Sequence, residues 1–333
     1  MTNTSRQFAV LGAGSWGTAL AILLANNGYP TSLWGHEPDH IDSLNKHREN
    51  QQFLPGVILP DTLTPQVSLA DAVTNATDVM LVVPSHCFRE VLEQARQYFA
   101  PTAQLSWATK GLDPHSHNLL HHVADELVGD TTYAVISGPS FANEVARGMP
   151  TALVVAAREL EYAKQLSACL SNNRFRAYTN QDIIGVQLGG AVKNVLAVAA
   201  GISDGLGFGA NARAALITRG LHEMLRLGVA LGGESETFMG LAGLGDLVLT
   251  CTDDQSRNRR FGLALGQGES IETAQINIGQ VVEGVKTTAE IHQLAEQYQV
   301  EMPITEQIYQ VLYQSLTPTE AVNALFARAL RAE

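Results

Sequence analysis

The stretch DIIGVQLGGAVKNVLAVAAGISDG, from Asp182 to Gly205, is the most apolar in the chain, and Lys193 is its only charge between Asp182 and Asp204. An ammonium in such a segment is costly to bury without partners, and a buried lysine shifts its pKa easily. Lys193 is therefore the first candidate for chemistry. The residues leave two plainer readings open. One is a membrane span, against which Gln187, Lys193, Asn194, the interrupting glycines and an aspartate at each end all count. The other is a core helix whose lysine carries its head group out to the surface.

At 333 residues the chain exceeds the size at which a single core keeps growing, so two domains are expected. Hydrophobic residues make up 45% and charged residues 16%, enough apolar surface for a soluble globular core. The net charge of −12 argues against nucleic acid or an anionic membrane surface as partner, since both call for a basic face. The N-terminal MTNTSRQFAVLG lacks the features of an export signal, so a cytoplasmic location is expected. Cys87, Cys169 and Cys251 are odd in number and far apart, which fits reduced structural thiols. His115, His117, His121 and His122 cluster, and a solvated helix face is favoured over a metal site because no carboxylate-rich or cysteine motif accompanies them.

The first half alternates short apolar runs with amphipathic stretches, the pattern of a parallel sheet covered by helices. Strands are expected near Phe8–Leu11, Thr31–Trp34, Val79–Val83, Gln104–Trp107, Tyr133–Ile136 and Ala152–Ala156, with helices at Trp16–Asn27, Cys87–Tyr98, Asn118–Leu127 and Leu160–Ser171. After about Tyr178 strand signals stop and helical spacing takes over, as in Ala289–Tyr298, Thr305–Gln314 and Pro318–Ala332. The expected architecture is a doubly wound α/β domain over residues 1–180, followed by an all-α domain over residues 181–333.

Phe8 to Gly17 reads FAVLGAGSWG, an apolar strand running into G-x-G-x-x-G and then into an apolar helix. Gly12, Gly14 and Gly17 allow a tight turn and close backbone approach, and a helix N-terminus offers free N–H groups to a pyrophosphate. In this context the motif predicts a Rossmann-like dinucleotide site. An NAD-selective site places Asp or Glu at the end of the second strand, but in TSLWGHE that place falls to Gly35, followed by His36 and Glu37. Without the carboxylate a 2′-phosphate is not repelled and His36 can donate to it, so NADP(H) is expected to be accepted beside NAD(H). Glu37 swinging in would restore NAD preference.

Ligands of open α/β sheets sit at the carboxyl ends of the strands. The loops VVPSH, ATKGL and SGPSFANEVARG fall there. Lys110 is placed to meet a substrate phosphate or to remain solvated, and Gly138 and Ser140 offer donors about the stiff Pro139. SRNRRFG, Ser256 to Gly262, contradicts the acidic average. Its arginine forks, with Ser256 and Asn258, suit an anion, unless Asp253 and Asp254 merely neutralise a basic turn. Asp246, after three glycines, suits either an orienting partner for an ammonium such as Lys193 or a helix cap. Glu283, beside Gly284, would ordinarily be surface decoration.

GAGSWGTA, VVPSH, ATKGL, SGPSFANEVARG, the block Gln187–Gly220, GLAGLGDLVLTC, SRNRRFG and VVEGVKT, in this order, closely resemble the bacterial-type NAD(P)-dependent glycerol-3-phosphate dehydrogenase family. The resemblance implies reduction of dihydroxyacetone phosphate to sn-glycerol 3-phosphate with NADH or NADPH, for phospholipid synthesis. It implies that Lys193 is the proton donor and acceptor. Lys110, Gly138, Ser140, Asp246, Ser256, Arg257 and Asn258 would line the substrate. Ser15, Trp16, His36, Lys110, Ala142, Arg257, Val281 and Glu283 would hold the cofactor.

The residues agree with that chemistry. Hydride addition to a ketone leaves negative charge on oxygen, which a positioned cationic acid stabilises and then protonates. The nicotinamide supplies the hydride, so no metal is needed. Gly189, Gly190 and Ala197 lie three or four positions from Lys193, and their small size is expected to leave room for substrate. A related hydroxy-acid dehydrogenase or ketopantoate-type reductase is the alternative, with SRNRRFG counting against both. A silent nucleotide-sensing protein would not need Lys193, Asp246 and the arginines together. A homodimer is compatible with apolar helices in the second half.

Overall fold

The computed structural model describes residues 6–129 and 131–328. The chain divides into two compact units, Met1–Asp113 with Asn118–Val186 and Pro114–His117 with Gln187–Glu333.

The first unit runs β1 (Phe8–Leu11), α1 (Ser15–Asn26), β2 (Thr31–Trp34), α2 (Pro38–His47), β3 (Glu49–Asn50), β4 (Leu54–Ile58), β5 (Leu63–Gln66), α3 (Leu69–Val73), β6 (Asp78–Leu81), α4 (Ser85–Ala95), β7 (Gln104–Trp107), α5 (Leu120–Val128), β8 (Tyr133–Ser137), α6 (Ala142–Ala146), β9 (Thr151–Ala157), α7 (Leu160–Leu170) and β10 (Phe175–Asn180). Eight strands form one sheet in the order β10-β9-β8-β7-β6-β1-β2-β5, and β3 pairs with β4 apart from it. Strands β1, β6 and β8 are buried along their whole length, as strands covered on both faces must be. On one face α1, α6 and α7 pack into a common core through Leu20, Leu24, Val145, Tyr162 and Leu166. On the other α4 neighbours α5, and Phe88 meets Trp107 of β7 edge to face at 5.5 Å. This is the doubly wound arrangement expected from the alternating pattern.

Several expectations need correction. The sheet is not wholly parallel, because β9 runs antiparallel to β8, with Ser137 opposite Val154 and Ala134 opposite Ala157. The 138–150 connection holds only the five-residue α6, too little to return the chain to the start of the sheet. One further strand, β10, was not among those expected; it pairs parallel with β9 up to Asn180, after which only helices follow among the described residues. As an edge strand it buries few side chains and so lacks an apolar run. The β3–β4 hairpin and the edge strand β5, with Pro65 within it, carried no apolar run either. His121 is not on a solvated face. It is buried, its ring lies 4.0 Å from that of His122, and burial holds its pKa down at about 4. His117, with φ of 56°, precedes α5 and shares no helix face with it.

The second unit is helical: α8 (Ile183–Gly205), whose first turn clusters with the first unit, then α9 (Ala210–Ala230), α10 (Ser235–Met239), a π-helical turn at Leu241–Gly245, α11 (Asp246–Thr252), α12 (Arg257–Gly266), α13 (Ile271–Ile278), α14 (Glu283–Gln297), α15 (Pro303–Tyr313) and α16 (Pro318–Phe326). A capping box between Thr317 and Glu320 starts α16, which ends at Phe326, short of the expected extent. Residues 329–332 of that expectation lie outside the described residues.

Helix α8 is long and apolar enough to cross a bilayer, yet 94% of its most apolar window is buried inside the protein. It is instead the hub of the helical unit. A Cβ on Gly201 would lie 2.1 Å from the Arg259 carbonyl oxygen, and one on Gly262 2.1 Å from that of Val198. Helices α8 and α12 therefore meet backbone to backbone, and only glycine fits. Gly201→Ala is expected to lower stability by about 1–3 kcal/mol through overpacking. Thermal unfolding would show it as a reduced Tm, and an unchanged Tm would contradict this account of the crossing.

Candidate active site

The first unit gathers its candidate residues at the carboxyl ends of neighbouring parallel strands. Gly12 follows β1 with φ of +126°, and a Cβ there would stand 2.5 Å from the Val82 carbonyl oxygen. A Cβ on Gly17 would stand 1.9 Å from the carbonyl oxygen of Gly12, so the third glycine lets α1 pack onto the turn. Gly14 differs, because a Cβ there would meet nothing within 4 Å. It caps α1 without any side-chain hydrogen bond, and neither it nor the following Ser15 and Trp16 donates a backbone N–H to another described residue. The turn thus presents free N–H groups to an open space, the arrangement that binds a phosphate.

At the end of β2, Gly35 is buried, and a Cβ would approach Ile41 Cδ1 to 2.8 Å and Ala13 Cβ to 3.0 Å. A larger side chain at this position would need the end of the Ile41 side chain to shift and Ala13 to give slightly. The next side chain, His36, is 79% exposed and its Nε2 lies 3.6 Å from Glu37 Oε1, so both flank the place where a ribose carboxylate partner is missing.

Lys110 follows β7 and donates to the Gly138 carbonyl at 3.5 Å, while the Ser140 hydroxyl donates to the same oxygen at 2.9 Å. Gly138 turns the chain away from β8 with φ of +144°, and a Cβ there would lie 2.9 Å from Leu153. Ala142 opens α6 four residues after Gly138. These residues form one cluster.

In the second unit Lys193 is 7% exposed on α8, and its ammonium is fully engaged on one side. It donates to Asp246 Oδ1 at 2.5 Å and to the Thr250 hydroxyl at 2.9 Å. Asp246 is the first residue of α11 and does not cap it. The glycine one turn before Lys193 explains how the two meet. A Cβ on Gly189 would lie 2.4 Å from the Ala242 carbonyl oxygen, so the π-helical turn presses against α8 and delivers Asp246. This corrects the expectation that Gly189 leaves room for substrate, since backbone already fills that space. π-Helical turns often mark functional sites, and this one sets the position of the lysine's counterion.

Asn194, the next residue of α8, serves a second group. Its Oδ1 accepts from Asn258 Nδ2 at 2.9 Å and its Nδ2 donates to Glu283 Oε2 at 3.5 Å. Asn258 Oδ1 in turn accepts from Gly284 N–H at 2.9 Å, so α8, α12 and the start of α14 are knitted together. Glu283 is therefore anchored, whereas Val281 is 47% exposed just before α14. Ser256 caps α12 by accepting from the Arg259 N–H at 3.2 Å.

The arginines of SRNRRFG have separate fates. Arg259 is buried and structural: it donates to the Cys251 carbonyl at 3.1 Å and to Asp204 at 2.6 Å, and pairs with Asp254. Arg257, by contrast, makes no ion pair among the described residues and donates only to the Gln280 side chain at 3.3 Å. It keeps donors for an anion. Cys251 is no nucleophile, because burial pushes its thiol up to about 12 despite Lys193 and Arg259.

In the sequence Thr250 carries no expected part in the site, and Asn194 stands out only as a polar residue that counts against a membrane span. Thr250 lies one helical turn after Asp246, and Asn194 adjoins Lys193, but threonine in that place and asparagine in an apolar helix both have ordinary structural uses.

Family models for the N-terminus and the C-terminus of NAD-dependent glycerol-3-phosphate dehydrogenase match residues 7–163 and 182–323. The chain is 56% identical over 335 residues to a glycerol-3-phosphate dehydrogenase [NAD(P)+] of Shewanella pealeana, covering 100% of this chain and 98% of that one. It is 59% identical to the Aeromonas hydrophila protein of the same name, covering 96% of each. The crystal structure of glycerol-3-phosphate dehydrogenase from Coxiella burnetii superposes with a TM-score of 0.94 at 49% identity, over 97% of this chain and 99% of that one. A ketopantoate reductase from Ralstonia eutropha is similar at 15% identity with a TM-score of 0.61, a likeness of fold alone. Matched over nearly its whole length, the chain belongs to the NAD-dependent glycerol-3-phosphate dehydrogenase family and is an NAD(P)-dependent oxidoreductase.

Proposed function

We propose that this enzyme reversibly reduces dihydroxyacetone phosphate to sn-glycerol 3-phosphate with NADH or NADPH, supplying the glycerol backbone of phospholipids. The observation that carries the reading is a buried, hydrogen-bonded ammonium at Lys193 in the same helical unit as Arg257, a guanidinium without an ion pair among the described residues. The fingerprint turn fits the cofactor, because Gly14 borders open space and the start of α1 has unused N–H groups. When bound, the nicotinamide supplies the hydride.

In this reading Lys193 gives a proton to the carbonyl oxygen as negative charge gathers there, and takes it back in the reverse direction. Asp246 and Thr250 hold the ammonium in one orientation. Arg257, with Ser256 and Asn258 beside it, binds the phosphate, and Lys110, Gly138 and Ser140 are further substrate residues. Fixing the phosphate orients the reacting carbon. Gly12, Gly14, Ser15, Trp16, Gly17, His36, Lys110, Ala142, Arg257, Val281 and Glu283 hold the cofactor. That Cys87, Cys169 and Cys251 form no disulfide among the described residues supports a cytoplasmic location, and the exposed Ile276 and Phe326 support a homodimer.

NADH oxidation with dihydroxyacetone phosphate, unphosphorylated dihydroxyacetone and a 2-keto acid separates this from the hydroxy-acid alternatives. Only the first is expected to turn over efficiently; comparable rates without a phosphate would reject the proposal. Arg257→Ala is expected to raise KM for dihydroxyacetone phosphate by about 10- to 100-fold, the scale of a lost charged hydrogen bond. A KM within twofold of wild type would remove Arg257 from the phosphate site. His36→Ala should raise KM for NADPH several-fold more than KM for NADH, and equal effects on both would count against its contact with a 2′-phosphate.

A further inference from the structure

Asn50 belongs to none of the motifs above, yet it is 0% exposed and its side chain is fully used. Its Nδ2 donates to the Ala13 carbonyl at 3.0 Å and to the Thr18 hydroxyl at 2.8 Å, and its Oδ1 accepts from the Phe53 N–H at 3.0 Å. Both donated bonds reach the glycine fingerprint segment, 37 and 32 residues earlier in the chain. The same Ala13 oxygen also accepts from His40 Nε2 at 3.2 Å and from the Thr18 hydroxyl at 3.5 Å. One carbonyl between the first two glycines is thus gripped from α2, from β3 and from α1.

The grip has a directional consequence. In a planar trans peptide the carbonyl and the following N–H point in opposite directions, and the described chain contains no cis peptide bond. Holding the Ala13 carbonyl toward Asn50 turns the Gly14 N–H away from it, at the start of α1, where a Cβ on Gly14 would meet open space. Gly14 alone has little steric preference to keep that peptide from turning over, since glycine populates positive and negative φ about equally. The orientation must come from what holds the carbonyl.

We propose that Asn50 is a positioning residue for the dinucleotide, fixing the Ala13–Gly14 peptide so that the Gly14 N–H faces the pyrophosphate. The inference rests on the dinucleotide reading of the fingerprint and is independent of the triose substrate. Asn50→Ala leaves the Ala13 oxygen with one short and one long hydrogen bond, and the peptide gains freedom to turn.

The test is binding, measured without turnover. Asn50→Ala is expected to weaken NADH and ADP-ribose together by about tenfold, the scale of one well-made buried hydrogen bond. KM for dihydroxyacetone phosphate at saturating NADH should stay at the wild-type value. In a chain labelled with 15N-glycine, the shift of the Gly14 amide resonance on adding ADP-ribose should shrink in the variant. A purely structural Asn50 would lower Tm and leave both affinities and the Gly14 shift as in wild type, which would overturn the proposal. Should Asn50→Ala fail to fold, Asn50→Ser carries the same expectations, because its shorter hydroxyl does not span to Ala13. Wild-type chain that binds no NADH would sink the dinucleotide reading and this inference with it, whereas binding unaffected by the variants sinks the inference alone.

Discussion

The candidate site of the helical unit is organised around one buried ion pair, Lys193 with Asp246. Removing an ammonium and a carboxylate from water costs several kcal/mol per ion, and the attraction between them compensates only with good geometry and further hydrogen bonds. Here Lys193 has Asp246 and Thr250, and the Thr250 hydroxyl also lies within 2.6 Å of the Asp246 carbonyl oxygen. The pair forms because Gly189 lets a π-helical turn lie against α8, so the backbone packing and the charge pairing are one arrangement. Such a pair contributes little to stability compared with apolar residues of similar volume. Its presence in the most apolar helix of the chain is better explained by chemistry than by folding.

The proposed anion recognition is of two kinds, one in each unit. The first unit uses backbone: free N–H groups at the start of α1, in a turn whose glycines admit close approach. The second uses side chains: Arg257 and Asn258 at the start of α12, whose place is fixed by Arg259, Asp204 and the Asn194–Asn258–Gly284 chain of hydrogen bonds. Backbone donors carry no rotamer entropy and suit a ligand common to many folds, whereas a guanidinium fork selects for phosphate geometry. A substrate site built on α8 and α12 also inherits the rigidity of two helices in backbone contact.

What was legible in the sequence was whatever is local. Strand, glycine turn and helix occupy fewer than about twenty residues, so the dinucleotide fingerprint can be read as a unit. Lys193 was conspicuous because charge contrasts with its apolar surroundings. The pairing of Lys193 with Asp246 was suggested only by residue type, since 53 positions separate them. Arg257 and Arg259 were indistinguishable in a run of three arginines, yet two residues on a helix are about 200° apart, and one faces Asp204 and Asp254 while the other does not. The reversed β9 depended on how far a 13-residue connection with a short helix can travel, and the edge strands β5 and β10 were hidden because a half-buried edge has no apolar run.

The proposed chemistry turns on the Lys193 ammonium as the acid and base of the reaction. Its most direct test is Lys193→Met, with NADH binding and near-ultraviolet circular dichroism as controls for the fold. Turnover of dihydroxyacetone phosphate is expected to fall by about 10²–10⁴-fold, the usual contribution of a positioned general acid, while NADH affinity stays within a few-fold of wild type. A folded, NADH-binding variant that keeps most of its rate would contradict it.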